Sequence, residues 1–483
     1  MNCLLLSTLY VYYLNNTLEW GTNMLKHSLT FTSLLAAPLL AFSAMPALAQ
    51  EAEVIDADRM AEVVSAEADS GAFMGAVLVA RGDDEVLSRA WGSADLEWGI
   101  ANTTDTKFRI GSVTKHFTSV AAFLLAEQGK LDIDAPIATY LKDTPEAWQG
   151  ITVRHLMRHS AGLPNVTSLD GFGRLKYLPT TQDELIATFR GLPLEFEPGA
   201  KFSYSNSGYV LLSRIVENVS EQTLGDFFQA NFFDPLGMTS TGFDDSSKIL
   251  ARRADGYSPS PDGRVNADYV YMGIPTGAGA MYSTTSDLKT WAVGLFGGKI
   301  LSQESLADFL TPDTLDAFPN NNYAHGLIAN TESEDVYYWH GGGIEGFNAW
   351  LGFDPASQTT VAVLANLNGG AASKLGSDMM TLVRGGEITL PSEREVVEAP
   401  ADLSQYEGVY ALAPTFKITV FVDGDKLMAQ ATGQGANQIF PESEDRFFLK
   451  VVDAQVEFSR GNDGEVNALT LFQGGQEIPG AKE

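Results

Sequence analysis

The chain has one cysteine, Cys3, among its 483 residues. A single cysteine can form neither an intramolecular disulfide nor a multi-thiolate metal site. Basic residues are also scarce, since 31 Lys and Arg stand against 61 Asp and Glu and give a formal net charge of −30. This charge argues against nucleic acid and anionic membrane surfaces as partners, because both bind basic patches. We expect the excess carboxylates to form a solvated surface.

The N-terminal region carries a targeting pattern. Residues 24–49 contain a short basic region, an apolar region and a small-residue ending, which is typical of a secretory signal peptide cleaved before Gln50. Residues 1–23 precede this complete signal, and we interpret them as a misassigned upstream extension. The alternative is an uncleaved anchor. We therefore expect a secreted or periplasmic protein that meets the membrane only through its signal peptide.

The full chain has a globular composition, with 45% hydrophobic and 19% charged residues. Residues 50–386 are predicted to form one large domain. Residues 387–401 are charged and contain proline, which indicates a linker. Residues 402–483 alternate in short apolar runs separated by Gly and Asp turns, a pattern that predicts a small all-β domain.

A serine and a lysine stand one helical turn apart within Phe108–Lys130. Ser112 and Lys115 form an SxxK motif, and the apolar spacing that follows predicts a helix beginning at the serine. Residues i and i+3 share a helix face, so the Lys115 amine can reach the Ser112 hydroxyl. A serine can be made nucleophilic in this way without a histidine beside it. The alternative for Ser112 is a helix-capping role.

Two other motifs have structural interpretations. Ser286 and Lys289 form a second SxxK, but the run of Ser and Thr before them predicts an N-cap region. His155 and His159 have the i, i+4 spacing of metal ligands, yet no glutamate lies between them and no third ligand is evident. We therefore expect packing and loop hydrogen bonds from the two histidines. We expect no metal and no cofactor.

Further along, Tyr204 and Asn206 form a YxN motif in a polar loop at the start of a predicted helix. On its own, this pair could be a buried tyrosine and a helix cap. Another small-residue segment, Gly277–Ser283, is predicted to let backbone approach a ligand closely.

Three strand-like runs predict an antiparallel meander: Asp335–His340, Phe347–Asp354 and Thr359–Ala365. His340 closes the first strand, and Gly341 to Gly346 are expected to separate it from the second. Glycines at a strand end permit close backbone approach, so His340 and the following N–H groups are candidates to face a substrate. A different KxG triplet at Lys374 lies in a predicted helix and is set aside.

These motifs occur in one order along the chain: Ser112-xx-Lys115, Tyr204-x-Asn206 and His340-x-Gly342. The set resembles the serine β-lactamase and penicillin-binding-protein superfamily, and in particular its class C-like branch, which includes DD-peptidases, D-aminopeptidases and esterases. The likeness covers roughly Phe73 to Val383. It implies an α/β fold of the α+β type, in which an antiparallel sheet is flanked by helices and joined by a helical subdomain. The C-terminal β domain resembles the lipocalin-like appendages of some relatives.

The resemblance implies a role for each motif residue. Ser112 becomes the acylated nucleophile, and Lys115 with Tyr204 becomes the proton-handling pair, of which either can be the base. The backbone N–H groups of Ser112 and Gly343 become the oxyanion hole. The remaining substrate-binding positions are Asn206, His340 and Gly342. Because His340 replaces the lysine of the lactamases' KTG motif, it is a weaker anchor for a substrate carboxylate.

The sequence therefore predicts an exported serine hydrolase that cleaves a small ester or a peptide or D-amino-acid amide. The alternatives are a β-lactamase or DD-carboxypeptidase, and a catalytically degenerate module that binds cell-wall material or another ligand. No GxSxG elbow surrounds Ser112, which disfavours an α/β-hydrolase. The expected partner is a small-molecule substrate, and the sequence predicts no oligomeric state.

Overall fold

The computed structural model describes residues 55–483 except 261–262, 319–320, 414–415 and 474–475. The predicted signal peptide at 24–49 and the predicted extension at 1–23 lie outside the described residues. None of the described helices combines the length and the apolar character needed to cross a bilayer.

An eight-stranded antiparallel sheet forms the centre of the larger part. Across the sheet the strands are Asp316–Phe318, Asn321–Tyr323, Ile328–Asn330, Tyr337–Ile344, Phe347–Asp354, Thr359–Ala365, Gly75–Arg81 and Asp84–Trp91. The N-terminal hairpin thus pairs with the last strand of the predicted meander. Thr359–Ala365 is buried throughout and rich in β-branched residues, as expected for a strand covered on both faces. The predicted meander is confirmed.

The first strand of the meander is longer than predicted. It continues from Tyr337 through His340 to Ile344, so three glycines lie inside the strand and the turn consists of Glu345 and Gly346. Glycine weakens a strand interior and often marks a close backbone approach. The physical reason here is such an approach, by the segment that carries Ser112.

Helices cover both faces of this sheet. Side chains alternate along each strand, so Val77 and Val361 face one helical layer while Ala76 and Leu364 face the other. The α-helices are Ala57–Asp69, Thr114–Glu127, Val153–Met157, Phe172–Leu175, Gln182–Arg190, Asn206–Ser220, Leu224–Phe228, Asp234–Leu236, Thr276–Gly279, Thr285–Phe296, Gln303–Leu310 and Ala371–Val383. The predicted class, a sheet flanked by helices with a helical subdomain, is confirmed.

Short elements complete this part of the chain. The 3-10 turns are Gly111–Val113, Ile137–Thr139, Glu146–Trp148, Val166–Ser168, Pro391–Glu393 and Ser404–Tyr406, and Gln229–Phe233 is a π-helical turn. The short strand pairs are Ser93–Asp95 with Ile100–Ala101, Tyr257–Ser260 with Gly263–Asn266, and Met281–Ser283 with both Phe108–Arg109 and Gly242–Phe243.

The helix after the SxxK serine lies deep in the core. It begins at Thr114, two residues later than predicted, because Ser112 belongs to the 3-10 turn Gly111–Val113. Almost all of its residues from Thr114 to Leu125 are buried, and the Phe117 ring stacks on Trp291 with centroids 3.8 Å apart. Burial on every side fixes the first turn of this helix, and with it the serine.

The last part of the chain is a closed eight-stranded barrel in which consecutive strands are neighbours. The strands are Gly408–Ala413, Phe416–Asp423, Lys426–Ala431, Asn437–Pro441, Arg446–Leu449, Ala454–Arg460, Val466–Gln473 and Gln476–Lys482. Aromatic and aliphatic side chains, among them Phe447 and Phe458, form its core. The predicted all-β domain is confirmed.

The segment predicted as a linker, 387–401, contains a single 3-10 turn, Pro391–Glu393. Two ion pairs hold it. Glu393 pairs with Arg59 of the first helix at 2.5 Å, and Arg394 pairs with Asp453 of the barrel at 2.7 Å. Because these side chains are partly exposed, each pair contributes little to stability, about 0 to 1 kcal/mol.

Candidate active site

The hydroxyl of Ser112 has two close polar neighbours. Lys115 Nζ lies 3.0 Å from Ser112 Oγ, and the Tyr204 hydroxyl donates to the same oxygen at 2.9 Å. The N-cap residue of the following helix is Val113, and it makes no side-chain capping hydrogen bond. The structure therefore brings together the two predicted proton-handling groups at Ser112 and gives its hydroxyl no capping role.

Lys115 is fully buried and is surrounded by neutral acceptors. Besides Ser112 Oγ, its Nζ contacts Asn206 Oδ1 and the carbonyl oxygen of Ala278, each at 2.9 Å. None of these three neighbours is a carboxylate that could balance a charged ammonium. Burial accordingly lowers the pKa of Lys115 well below its ordinary value. The arrangement favours a neutral amine.

A neutral amine at this place can act as a base. It has two N–H donors, which match the two acceptors Asn206 Oδ1 and Ala278 O. Its lone pair is then left for the third neighbour, the Ser112 hydroxyl. The same geometry lets the amine take the serine proton as the serine oxygen attacks a substrate.

Tyr204 is suited to donate a proton. Burial raises the pKa of Tyr204 above its ordinary value, so the phenol is neutral. Its ring packs against the ring of His159 at a centroid distance of 4.1 Å, and this contact holds the hydroxyl beside Ser112. Of the two candidate bases, the structure thus favours Lys115, and it leaves Tyr204 as the proton donor.

Two glycines allow the strand Tyr337–Ile344 to approach the 3-10 turn Gly111–Val113, here called the serine turn because it contains Ser112. Gly111 has a φ of +49°, and a Cβ added there would lie 2.7 Å from the backbone nitrogen of Gly343. A Cβ added to Gly342 would strike the carbonyl oxygen of Ile110. Both positions therefore require glycine, since any side chain would push the strand away from Ser112.

The hydrogen-bonding pattern of this strand points Gly343 toward the serine turn. The strand pairs with Phe347–Asp354 across a two-residue turn, so Gly342 lies in a hydrogen-bonded pair and Gly343 in a non-hydrogen-bonded one. The N–H of Gly343 consequently points away from that partner. The strand on the other side ends opposite Trp339 and leaves this edge uncovered. The N–H is available as an oxyanion donor.

His340, predicted to contact substrate, is buried on the protein side of the site. Its Nε2 lies 2.9 Å from the Tyr323 hydroxyl, and its Nδ1 faces the carbonyl oxygen of Gly341. Burial lowers the pKa of His340 to about 3, and an ammonium on Lys115 would lower it in the same direction. The ring is neutral and both its nitrogens have protein partners. This geometry argues against binding of a substrate carboxylate by the imidazole itself.

The other sequence motifs lie elsewhere. Thr284 caps the helix that contains Ser286, as expected for an N-cap region, and Lys289 pairs with Glu85. The Nδ1 of His155 accepts from the backbone N–H of Thr152 at the start of a short helix. Lys374 lies in a helix, as predicted, and forms ion pairs there with Glu67 and Asp378.

Sequence reasoning missed several groups at the site. Ala278 O accepts a hydrogen bond from Lys115, so the segment Gly277–Ser283, predicted to approach a ligand, contacts the lysine. Asn165 Oδ1 accepts a hydrogen bond from the backbone N–H of Asn206, and the side-chain Nδ2 of Asn206 donates to Thr167 Oγ1. Tyr323 was missed too. None of these groups has a local motif, although a buried lysine implies that acceptors surround it.

One acidic cluster has ligand atoms close enough to share a cation within the described ranges: Asp95, Glu97 and Asp255. It lies at the surface and includes none of the residues around Ser112.

Comparison with known proteins shows the family to which this chain belongs. The family model described as Beta-lactamase matches residues 60–379. The chain belongs to the beta-lactamase family. A second model, described as a domain of unknown function (DUF3471), matches residues 393–482, which include the barrel. The beta-lactamase-family match thus contains Ser112, Lys115, Tyr204 and His340.

Individual relatives extend this likeness. Penicillin-binding protein 4* of Bacillus subtilis is 27% identical over 431 residues, which cover 84% of this chain and 94% of that protein. The structure of an octameric penicillin-binding protein homologue from Pyrococcus abyssi matches with a TM-score of 0.64 and 26% identity, over 88% of this chain and all of that one. A D-stereospecific amidohydrolase from Streptomyces matches with a TM-score of 0.58 and 25% identity, over 65% and 97%.

The interlocked glycines of this beta-lactamase-family site give a first prediction. Gly342→Ala should lower the rate of labelling of Ser112 by a fluorophosphonate probe by at least about 100-fold, because a displacement near 1 Å costs that much. The control is Gly435→Ala, whose new Cβ meets open space. Equal labelling rates for the two variants would contradict the close-approach argument.

Burial of neutral histidines gives a second prediction. His340 has a pKa of about 3 in the folded protein and about 6.5 unfolded, so the unfolded chain binds more protons between these values. Its contribution to stability is present above pH 6.5 and is lost as the pH falls toward 3. Tm should therefore decline between pH 6.5 and pH 4, and His340→Gln should make that decline shallower. Parallel Tm curves for wild type and variant would contradict this.

Proposed function

We propose that this protein is a serine hydrolase that forms an acyl-enzyme on Ser112 and cleaves a small ester or a D-amino-acid amide. The observation that carries the proposal is the position of Ser112 Oγ, 3.0 Å from Lys115 Nζ and 2.9 Å from the Tyr204 hydroxyl. A serine flanked by a buried amine and a neutral phenol has both a base and an acid at hand.

In the proposed acylation, Lys115 takes the Ser112 proton while Oγ attacks the substrate carbonyl carbon. The N–H groups of Ser112 and Gly343 receive the developing negative charge on the carbonyl oxygen, and each donor of this kind stabilises the transition state by about 3 kcal/mol. Tyr204 gives its proton to the leaving oxygen or nitrogen as the bond breaks. The Lys115 ammonium then returns a proton to Tyr204.

Deacylation follows by the same groups. After acylation the Lys115 amine is neutral again, so it can take a proton from an attacking water. The oxyanion donors again hold the charge on the carbonyl oxygen. Lys115 finally returns the proton to Ser112 Oγ as the acid product leaves. Every proton that moves is accounted for by the three side chains and the water.

The substrate class rests on His340. A DD-carboxypeptidase or a β-lactamase substrate carries a carboxylate beside the scissile bond, and a cation at the third motif is the natural anchor for it. Here that position holds a neutral imidazole whose two nitrogens have protein partners. This favours esters and amides without such a carboxylate. The likeness to a D-stereospecific amidohydrolase supports the amide.

We also propose that the enzyme is exported, on the basis of the signal pattern at residues 24–49. N-terminal sequencing of the protein isolated from its host tests this point, since cleavage gives a chain that begins at Gln50. A mature protein that retains residue 24 would leave the anchor alternative.

The nucleophile is tested with a matched pair of serines. Ser112→Ala should lose both fluorophosphonate labelling and turnover of p-nitrophenyl esters. The control Ser286→Ala removes the serine of the other SxxK copy, which lies in a capped helix, and should leave both unchanged. Labelling of Ser112→Ala at the wild-type rate would remove Ser112 as the nucleophile. A wild-type protein without turnover of any ester or amide would support the binding-module alternative.

The roles of base and acid are separated by the leaving group. Lys115→Met should abolish hydrolysis of p-nitrophenyl esters and of D-amino-acid amides alike. Tyr204→Phe should slow amide hydrolysis by about 100-fold or more, and activated esters much less, because p-nitrophenolate leaves without a proton. Lys289→Met, in the second SxxK, is the control for loss of a lysine. If Tyr204→Phe slows both substrates equally, Tyr204 is not the acid.

A further inference from the structure

A buried tyrosine that the proposed mechanism does not use lies between two histidines. Tyr323 ends the strand Asn321–Tyr323, and its hydroxyl lies 3.1 Å from His159 Nε2 and 2.9 Å from His340 Nε2. The exposed fractions of Tyr323, His159 and His340 are 0%, 2% and 4%. Three polar side chains so deeply buried need a complete set of partners.

The direction of each hydrogen bond follows from its ends. The Nδ1 of His159 accepts from the backbone N–H of Ser205 at 3.1 Å, so the proton of this neutral ring is on Nε2 and is donated to the Tyr323 oxygen. The Nδ1 of His340 faces the carbonyl oxygen of Gly341, which can only accept. His340 therefore carries its proton on Nδ1, and its Nε2 accepts from the Tyr323 hydroxyl.

The resulting chain of hydrogen bonds runs in one direction, from Ser205 through His159, Tyr323 and His340 to Gly341. It uses every donor and acceptor of the two imidazoles. It begins at the backbone of Ser205, between Tyr204 and Asn206. It ends at the backbone of Gly341, two residues before Gly343. Its ends thus lie in the two segments that must stay in register at Ser112, one with the proton donor and one with the oxyanion donor.

We propose that Tyr323 is a positioning residue for the hydrolysis, whose hydroxyl, between His159 and His340, ties the Tyr204–Asn206 segment to the strand that carries Gly343. This role rests on the proposed function of Ser112. Tyr323 does not touch the reacting atoms. It acts through its neighbours, and one of them, His159, packs directly on the Tyr204 ring.

The absence of charge along the chain fits its surroundings. A charge on Lys115 would lower the pKa of both His159 and His340, and the His116 ring lies 6.0 Å from that of His340. An imidazolium here would repel an ammonium on Lys115 and would reverse one hydrogen bond of the chain. A phenol between neutral rings can hold the two segments without placing a charge beside the base.

The test removes one oxygen atom. Tyr323→Phe keeps the ring and should lower kcat for a p-nitrophenyl ester, and the rate of fluorophosphonate labelling, by about 10- to 100-fold. KM should change by less than about 3-fold, because substrate contacts are intact. The control Tyr410→Phe removes an equally buried hydroxyl, bonded to a backbone carbonyl in the barrel, and should leave both rates unchanged.

A second set of variants separates positioning from general stability. His159→Asn can still accept from Ser205 but cannot reach Tyr323, and it also loses the ring contact with Tyr204, so it should lower kcat at least as much as Tyr323→Phe. If the chain acts as a unit, the double variant with Tyr323→Phe should be no slower than the slower single variant. Wild-type kcat in Tyr323→Phe, or multiplicative losses in the double variant, would overturn the proposal. Turnover that persists in Ser112→Ala would instead overturn the proposed function.

Discussion

The burial of Lys115 is the constraint on which the site depends. An amine in a fully buried position is stable only if its hydrogen bonds are met and its charge is dispensable. The structure meets the first condition with Asn206 Oδ1 and Ala278 O, contributed by two segments distant in sequence. The second condition leaves the lone pair for Ser112. The same burial that would destabilise an ammonium therefore favours a neutral amine that can accept a proton.

The second requirement is that the serine turn and the sheet come closer than side chains allow. Gly111 lies on the serine side of this contact and Gly342 on the sheet side. As a result, the strand Tyr337–Ile344 contains glycines at positions where strands usually carry β-branched residues. Cohesion of the sheet does not depend on these glycines, because Thr359–Ala365 and its neighbours carry the buried apolar contacts. The weak end of one strand can thus serve the site.

The sequence was informative where structure has a period or a local motif. Alternating strands, capped helices and the three family motifs could be located, and their order along the chain pointed to the family. The sequence did not reveal contacts made by groups that have no motif of their own, such as Ala278 O and Tyr323. The same limit explains His340. Its motif could be recognised in the sequence, but its hydrogen bond to Tyr323 could not be, because Tyr323 lies in another strand.

The choice of a neutral histidine at the third motif links substrate class to base strength. A lysine at position 340 would add a cation near Lys115, and could hold a substrate carboxylate. The buried neutral imidazole cannot bind a carboxylate in this way. Because it adds no charge, burial is the main influence on the pKa of Lys115. The same imidazole completes the hydrogen-bond chain from Ser205 to Gly341. One residue therefore both removes a carboxylate-binding charge and holds these two segments together. This exchange is the physical basis of the proposed preference for neutral esters and amides over substrates recognised by their carboxylate.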